Sequence, residues 1–322
     1  MTKMRAMAMD TTGDAEVLHL VELDRPVRVN NELLVRVHAA GVNPIDAKTR
    51  AGRGVSAAIS SWPAVLGVDF SGVVIESSYE AHALAPGDEV FGMASVPRAT
   101  GSYADFVAVS SLSVARKPVS LTHVEAAGVP VAALTAWGMV VDVARAHQGQ
   151  RMLIHAGSGG VGHFAVQLAA YFGVHVIATG STAKCDWLRE LGAAEVIDYS
   201  ETRFDDVVSN VDVVVDLVGN VHDDTGSRSL SVLRRGGLIV NAPSGSWPTM
   251  VQEATDAGLR ATTYKVSPDG ATLAVIARLL DSGDLRVHID RVFDLEDVVA
   301  AHRMLELGHT RGKIVLRISE RD

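Results

Sequence analysis

The sequence predicts an α/β protein in which a doubly wound parallel-sheet domain is inserted into a β-rich, barrel-like one. Three observations carry that expectation. An apolar run from Leu153 breaks into glycines at 157, 159, 160 and 162 and then resumes at helical spacing through Gln167, which reads as strand, tight turn and helix. Strand and helix patterns alternate from there to about Tyr264. Before them, residues 1 to about 120 read as short strands separated by frequent turns.

The elements follow in order. Leu33-Leu-Val-Arg-Val-His-Ala39, Asp69-Phe-Ser-Gly-Val-Val-Ile75 and Tyr103-Ala-Asp-Phe-Val-Ala-Val109 alternate or run apolar between glycines, as strands do. An alanine-rich helical stretch from about Thr122 leads into the glycine loop. Val174–Thr179 reads as a second strand, followed by a helix from about Thr182 to Leu191. Later strands are Val211–Val218 and Gly237–Asn241. After Asp269, helices to about Leu280 and from Glu296 to Leu307 flank Val287–Phe293, and Lys313–Ile318 is the final strand. These patterns place the domains at 1–122 with 267–322, and at 123–266.

Composition sets limits on function. A chain of 322 residues exceeds one simple core and suits two domains. With 48% hydrophobic and 21% charged residues, the balance is that of an ordinary globular protein. A net charge of −9 argues against nucleic-acid binding. Arg234-Arg235, and Arg321 between Glu320 and Asp322, are too sparse to neutralise a phosphate backbone. The single cysteine, Cys185, forms no internal disulfide and no cysteine-rich zinc site, which makes a reducing, cytoplasmic location the default expectation. No apolar leader opens the chain, and Asp212 and Asp216 interrupt the run from Val207 to Val218, so neither export nor membrane insertion is expected.

Gly157, Gly159 and Gly162 fit G-x-G-x-x-G, in which glycines turn the chain, let the backbone approach a pyrophosphate and seat the helix on the strand. The alternative is an ordinary loop that needs positive φ. The second strand and helix complete a βαβ unit of about thirty residues, which favours a Rossmann dinucleotide site cradled by Ser158, Gly159, Gly160, Val161 and Gly162. Val218-Gly219 and Asn241-Ala242-Pro243 end later strands, where open α/β sheets bind ligands.

An NAD site places an acid about 20 residues after the first glycine. Ile177, Ala178, Thr179 and Gly180 stand there instead, and the turn continues Ser181-Thr-Ala-Lys184, which suits a 2′-phosphate. NADPH is therefore the expected cofactor. Alternatively, Ser181 caps the next helix and Lys184 is a solvated charge. His155, beside the loop, reads as a strand histidine rather than a ligand.

Several further motifs occur in order along the chain. They are Ala40-Gly-Val-Asn43-Pro-Ile-Asp46, Leu66-Gly-Val-Asp69-Phe-Ser-Gly72, Pro86-Gly-Asp88-Glu-Val-Phe-Gly92, Gly101-Ser-Tyr103-Ala-Asp-Phe106, Leu134-Thr135-Ala-Trp137, and His302 with Thr310-Arg-Gly-Lys313-Ile-Val-Leu316. Together with the glycine loop, they make the chain resemble the medium-chain dehydrogenase/reductase superfamily, in its zinc-free quinone oxidoreductase branch, which includes the zeta-crystallins. The resemblance implies a GroES-like catalytic domain around the Rossmann domain. Zinc-dependent members carry Cys where this chain has Asn43, Gly-His-Glu where it has Gly67-Val68-Asp69, and Cys near Val131. The expected ligand type is missing at all three positions, and no four-cysteine lobe can follow Gly92.

The resemblance implies zinc-independent hydride transfer from NADPH to a quinone or to the β-carbon of an α,β-unsaturated carbonyl. Asn43 and Asp46, after a turn-forming Gly41, would form one wall of the cleft near the nicotinamide and substrate, or hold their own turn. Thr135 would contact the nicotinamide, or bond back to a helical carbonyl. Tyr199 would share the phosphate side with Ser181 and Lys184, or be a partly buried strand-end tyrosine. Lys313 and Arg311 would reach the cofactor, or be solvated. Trp62 would line the acceptor pocket, or plug a seam between domains. No residue demands the role of general acid: water suffices, and Tyr103 packs in the barrel. Relatives commonly dimerise through an edge strand, for which Leu259–Val266 is the candidate, so a homodimer is expected. The competing activities are an NADPH-dependent enal or enone reductase and, in another class, an NADPH-binding sensor or structural protein.

Overall fold

The amino-terminal β-rich stretch folds as β1 (Lys3–Met9), β2 (His19–Asp24), β3 (Glu32–Val42), β4 (Ala64–Val65), β5 (Asp69–Glu76), β6 (Glu89–Met93), β7 (Phe106–Ser110) and β8 (Val114–Arg116). The alternating middle of the chain gives β9 (Arg151–Ile154), β10 (His175–Gly180), β11 (Glu195–Asp198), β12 (Val211–Asp216), β13 (Leu233–Asn241) and β14 (Arg260–Thr263), and the chain ends with β15 (Ile289–Asp294) and β16 (Lys313–Arg317). The structure is a computed structural model that describes residues 2–95 and 101–319, so Arg321 lies outside the described residues.

Two units form, Met1–Leu134 with Ser267–Asp322, and Thr135–Val266. Residues 123–134, placed by the sequence with the nucleotide domain, fall in the first unit. The reason is local packing: helix α2 (His123–Ala127), opened by a capping box between Thr122 and Glu125, lies with Ala127 against Ala39 and Val315.

In the first unit, β2-β1-β4 make one sheet, and β15-β16-β3-β5-β6-β8, with β7 also on β3, make a seven-stranded one. Apolar side chains of both sheets, among them Met7, Met9, Phe70, Leu33 and Ile314, share one core. The last strand returns to this unit because β16 pairs antiparallel with β3, Ile314 opposite Val42 and Val315 opposite Gly41. Tyr103 stands outside β7, buried with its carbonyl accepting from Met7 N at 2.8 Å.

In the second unit six parallel strands run in the order β11-β10-β9-β12-β13-β14, a doubly wound sheet whose order reverses between β9 and β12. The buried apolar runs Met152–Ile154, Val176–Ala178, Val213–Val215 and Leu238–Val240 in β9, β10, β12 and β13 reflect burial on both faces. The expected helix after β10 begins as a 3₁₀ turn, Thr182–Lys184, and continues as Cys185–Glu190. β14, within the stretch expected to be an edge, is one of the two edge strands, β11 being the other. A π-helical turn, Gly138–Val143, follows the alanine-rich helix, where a Cβ on Gly138 would sit 1.9 Å from the Tyr264 hydroxyl. Among the described residues, no helix is long and apolar enough to cross a membrane.

Candidate functional site

In the first unit the chemistry-bearing side chains gather around Asp69, the fully buried first residue of β5. Its Oδ1 accepts from the backbone N–H of Val131 at 2.8 Å, near the start of helix α3 (Pro130–Trp137), where a carboxylate is favoured by the helix dipole. Its Oδ2 accepts from Asn43 Nδ2 at 2.9 Å. Lys313, the first residue of β16, is only 3% exposed. Its ammonium donates to Val42 O at 3.2 Å and to Asn43 Oδ1, and lies 3.5 Å from Asp69 Oδ2. Those contacts use its three donors, so Lys313 is neither solvated nor free to reach a cofactor phosphate.

Gly41 does not form a turn. It lies within β3, and the absence of a side chain is required because a Cβ there would sit 2.4 Å from Ala127 O and 2.9 Å from Asp69 Cβ. Asn43 precedes helix α1 (Pro44–Arg50), and its backbone N–H donates to Asp46 Oδ2 at 2.9 Å. The expected turn-holding role is therefore real for Asp46, while the Asn43 amide is turned toward Asp69. Asp46 Oδ1 accepts from Gly67 N at 3.3 Å. Burial, with Asp69 nearby, pushes the Asp46 carboxyl up to about 7. Burial also raises Asp69, an effect opposed by Lys313 and Asn43.

Tyr103 and His302 stand behind this group. Both are fully buried, with Tyr103 Oη 3.2 Å from His302 Nε2. Burial raises the tyrosine hydroxyl well above its ordinary value, reinforced by Asp46, and burial lowers His302 to about 3, so both are neutral. Trp62 stands apart from the cluster's hydrogen bonds and is 46% exposed.

The second unit carries the glycine loop. The alternative of positive-φ glycines fails: none of Gly157, Gly159 and Gly162 has positive φ, and the left-handed residue is Ala156 at φ 50°. The glycines serve close approach instead. A Cβ on Gly162, which opens helix α4 (Gly162–Tyr171), would lie 2.2 Å from Ala156 O, and one on Gly157 would lie 3.0 Å from Leu188 Cδ2. At Gly159 the nearest atom to a Cβ would be Ala156 O at 3.4 Å, so the space beside its Cα is open, while its N–H already donates to Ala156 O at 2.9 Å. Ser158 is buried, Gly160 and Val161 are half-buried, and this stretch leads directly into the α4 N-terminus. A pyrophosphate fits such a cradle of small residues at a helix start.

At the end of β10, Ser181 makes no capping bond with its side chain, so the capping alternative is not realised. Lys184 is half-buried. Tyr199, just past β11, is 59% exposed rather than partly buried, with its N–H donating to Gly180 O at 3.1 Å. An acid does stand beside this corner: Asp198 pairs in register with Gly180 from the neighbouring strand. Hydroxyls of Ser200 and Thr182 hold it below the usual carboxylate range. Sequence spacing along one strand missed it. Thr135 is buried within α3. Val218 and Ala242 follow β12 and β13, with Ala242 N donating to Asp216 O at 3.0 Å.

His155 is buried just past β9, with Nε2 2.8 Å from Ser229 Oγ and Nδ1 3.3 Å from Thr179 Oγ1, and burial lowers it to about 4. It packs at the carboxyl end of the central strand β9 as a neutral group. Among the described residues no three His, Cys, Asp or Glu side chains gather as a metal site.

A doubly wound sheet with a glycine loop and a β-rich unit with a buried carboxylate cluster make up the protein, and its relatives assign it to the oxidoreductases. The family model of the alcohol dehydrogenase GroES-like domain matches residues 29–119, and that of the zinc-binding dehydrogenase matches residues 191–316. Among solved structures, the quinone oxidoreductase from Coxiella burnetii superposes with a TM-score of 0.92 at 38% identity, covering 99% of this chain and 100% of that one. The Solanum lycopersicum 2-methylene-furan-3-one reductase is 34% identical, covering 98% of this chain and 79% of its own length. The mouse (Mus musculus) NAD(P)H oxidoreductase RTN4IP1, mitochondrial, is 33% identical, covering 98% of this chain and 90% of its own length. The chain belongs to the medium-chain dehydrogenase/reductase superfamily, in its zinc-free quinone oxidoreductase-like branch.

Proposed function

We propose that the protein is an NADPH-dependent quinone oxidoreductase that works without zinc. The observation that carries this reading is the Asn43–Asp69–Lys313 network. The positions where zinc-dependent relatives hold their ligands present an amide, a carboxylate already paired with an ammonium, and the apolar Val131. That set does not supply the Cys and His donors of a catalytic zinc, and the internal cation already satisfies Asp69. Reduction of an activated acceptor asks less of a Lewis acid than alcohol oxidation does.

The residues fit NADPH. Ser158, Gly159, Gly160, Val161 and Gly162 would take the pyrophosphate, Ser181, Lys184 and Tyr199 the 2′-phosphate, and Val218 and Ala242 the far half of the dinucleotide. Bound NADPH supplies the hydride. Asn43, with an amide held at both ends, and Asp46, which holds a proton near neutral pH, are the proposed catalytic residues of the first unit, and Thr135 of the second unit would contact the nicotinamide. The 38% identity to a quinone oxidoreductase supports the acceptor class. A second reading, reduction of enals or enones, is favoured by the 34% identity to the furanone reductase. A homodimer through the β14 edge is also proposed. A cytoplasmic location rests on the single cysteine alone, and the mouse relative is named as mitochondrial.

Turnover of NADPH with a quinone series and an enone series, with and without a metal chelator, tests the assignment. Quinone reduction insensitive to chelator is expected. Enone-only turnover would transfer the protein to the second reading, and chelator-sensitive turnover would overturn the zinc-free mechanism. Tight NADPH binding with neither acceptor class reduced would favour a binding protein over an enzyme.

A further inference from the structure

Asp216, the last residue of β12, is fully buried and lies at the point in the sheet where ligand-binding loops emerge. One carboxylate oxygen, Oδ1, accepts from the backbone N–H groups of Val218 at 2.9 Å and Gly219 at 2.8 Å. The other, Oδ2, accepts from Asn241 Nδ2 at 2.7 Å, at the end of β13. A single side chain thus ties together the loops that follow two adjacent strands.

The loops are locked further along. Asn220 N donates to Ser246 O at 3.2 Å, and Ser246 Oγ donates to Pro243 O at 2.7 Å. Gly219, at φ 71°, leaves no room for a side chain, because a Cβ would lie 2.0 Å from Ser246 Oγ. Residues 218–220 and 241–246 therefore form one shelf pinned from beneath by Asp216.

The position of the shelf in the sheet says what it serves. Strand order reverses between β9 and β12. A doubly wound sheet binds a dinucleotide across that reversal, one mononucleotide on each half. The corner suited to a 2′-phosphate, Ser181 and Lys184, lies at the end of β10, so β12 and β13 belong to the other, nicotinamide half. We propose that Asp216 is a positioning residue for the nicotinamide half of NADPH, setting the height of the 218–220 and 241–246 shelf. This rests on the NADPH reading above.

The test is binding of NADPH, by nicotinamide fluorescence, against binding of adenosine 2′,5′-bisphosphate, by calorimetry, since the second ligand lacks the nicotinamide half. Asp216→Ala is expected to weaken NADPH about tenfold or more while leaving the bisphosphate within about twofold, with Asp216→Asn, which keeps the shape, in between. Should Asp216→Ala fail to fold, Asn241→Ala, which leaves both backbone bonds to Asp216 intact, is expected to show the same selective loss at smaller size. Unchanged NADPH affinity in the folded variants would overturn the proposal. Equal weakening of both ligands would overturn it as well, because that is the mark of a generally damaged domain. Wild-type protein that binds neither ligand would instead remove the NADPH reading itself.

Discussion

The Lys313 ammonium lies 3.5 Å from Asp69 Oδ2, and both residues are buried, at 3% and 0% exposure. The same ammonium donates to Asn43 Oδ1, a residue 270 positions away in sequence. Charges removed from water at this depth persist only when paired and hydrogen-bonded.

Lys313→Met therefore strands a buried carboxylate. A loss of about 3–5 kcal/mol in unfolding free energy is expected, measured by urea denaturation. Adding Asp69→Asn to Lys313→Met should cost less than the sum of the two single changes, since the pair acts as one unit. Strict additivity would show that the two residues are not coupled.

The pH dependence of stability follows from Asp46 and the buried histidines. Asp46 has a folded value of about 7 against an ordinary 3.8, so the stability it contributes is complete below that lower value and is lost as pH rises toward 7. His302, at about 3, and His155, at about 4, against an ordinary 6.5, act oppositely, their contributions being complete above 6.5 and lost on acidification. Between these limits the slopes oppose one another. Asp46→Asn removes one side of the balance, so acidification from about pH 7 to pH 5 should cost the variant more than wild type, by up to about 1.4 kcal/mol per pH unit. Urea midpoints at the two pH values measure it, and parallel slopes would refute the Asp46 assignment.

The cofactor corner makes a separate prediction. Lys184→Ala should weaken NADPH by about tenfold and leave NADH nearly unaffected, because only the former carries a 2′-phosphate to pair with the ammonium. Fluorescence titration with both nucleotides decides this, and equal losses would move the phosphate elsewhere.

Two glycines of one loop should respond differently to alanine. Gly162→Ala places a Cβ 2.2 Å from Ala156 O and is expected to destabilise the protein by about 1–3 kcal/mol. At Gly159 the nearest atom is 3.4 Å away, so Gly159→Ala should leave the melting temperature nearly unchanged and still reduce NADPH affinity by filling the approach to the backbone. Unaltered binding in Gly159→Ala would remove this residue from the pyrophosphate cradle.

The glycine loop and strands such as β3, β5, β10, β12 and β16 were legible in the sequence because each depends on neighbours only a few residues away. Hydrophobic periodicity marks a buried face, and small residues at fixed offsets mark a turn where two backbones meet. Asn43 and Asp46 were legible as a pair for the same reason, being three residues apart on one helix start.

What the sequence alone determined, then, was the βαβ unit at residues 153–191, the alternation of elements around it and the absence of the zinc-type ligands at Asn43, Gly67-Val68-Asp69 and Val131. Tertiary structure decided the rest. Lys313 becomes an internal cation because β16 lies along β3, Asp198 stands beside Gly180 because β11 lies along β10, and Asp216 joins two loops because β12 lies along β13. Each of these relationships is a strand register between distant segments, and register is set by the packing of whole sheets rather than by the residues next to the one in question.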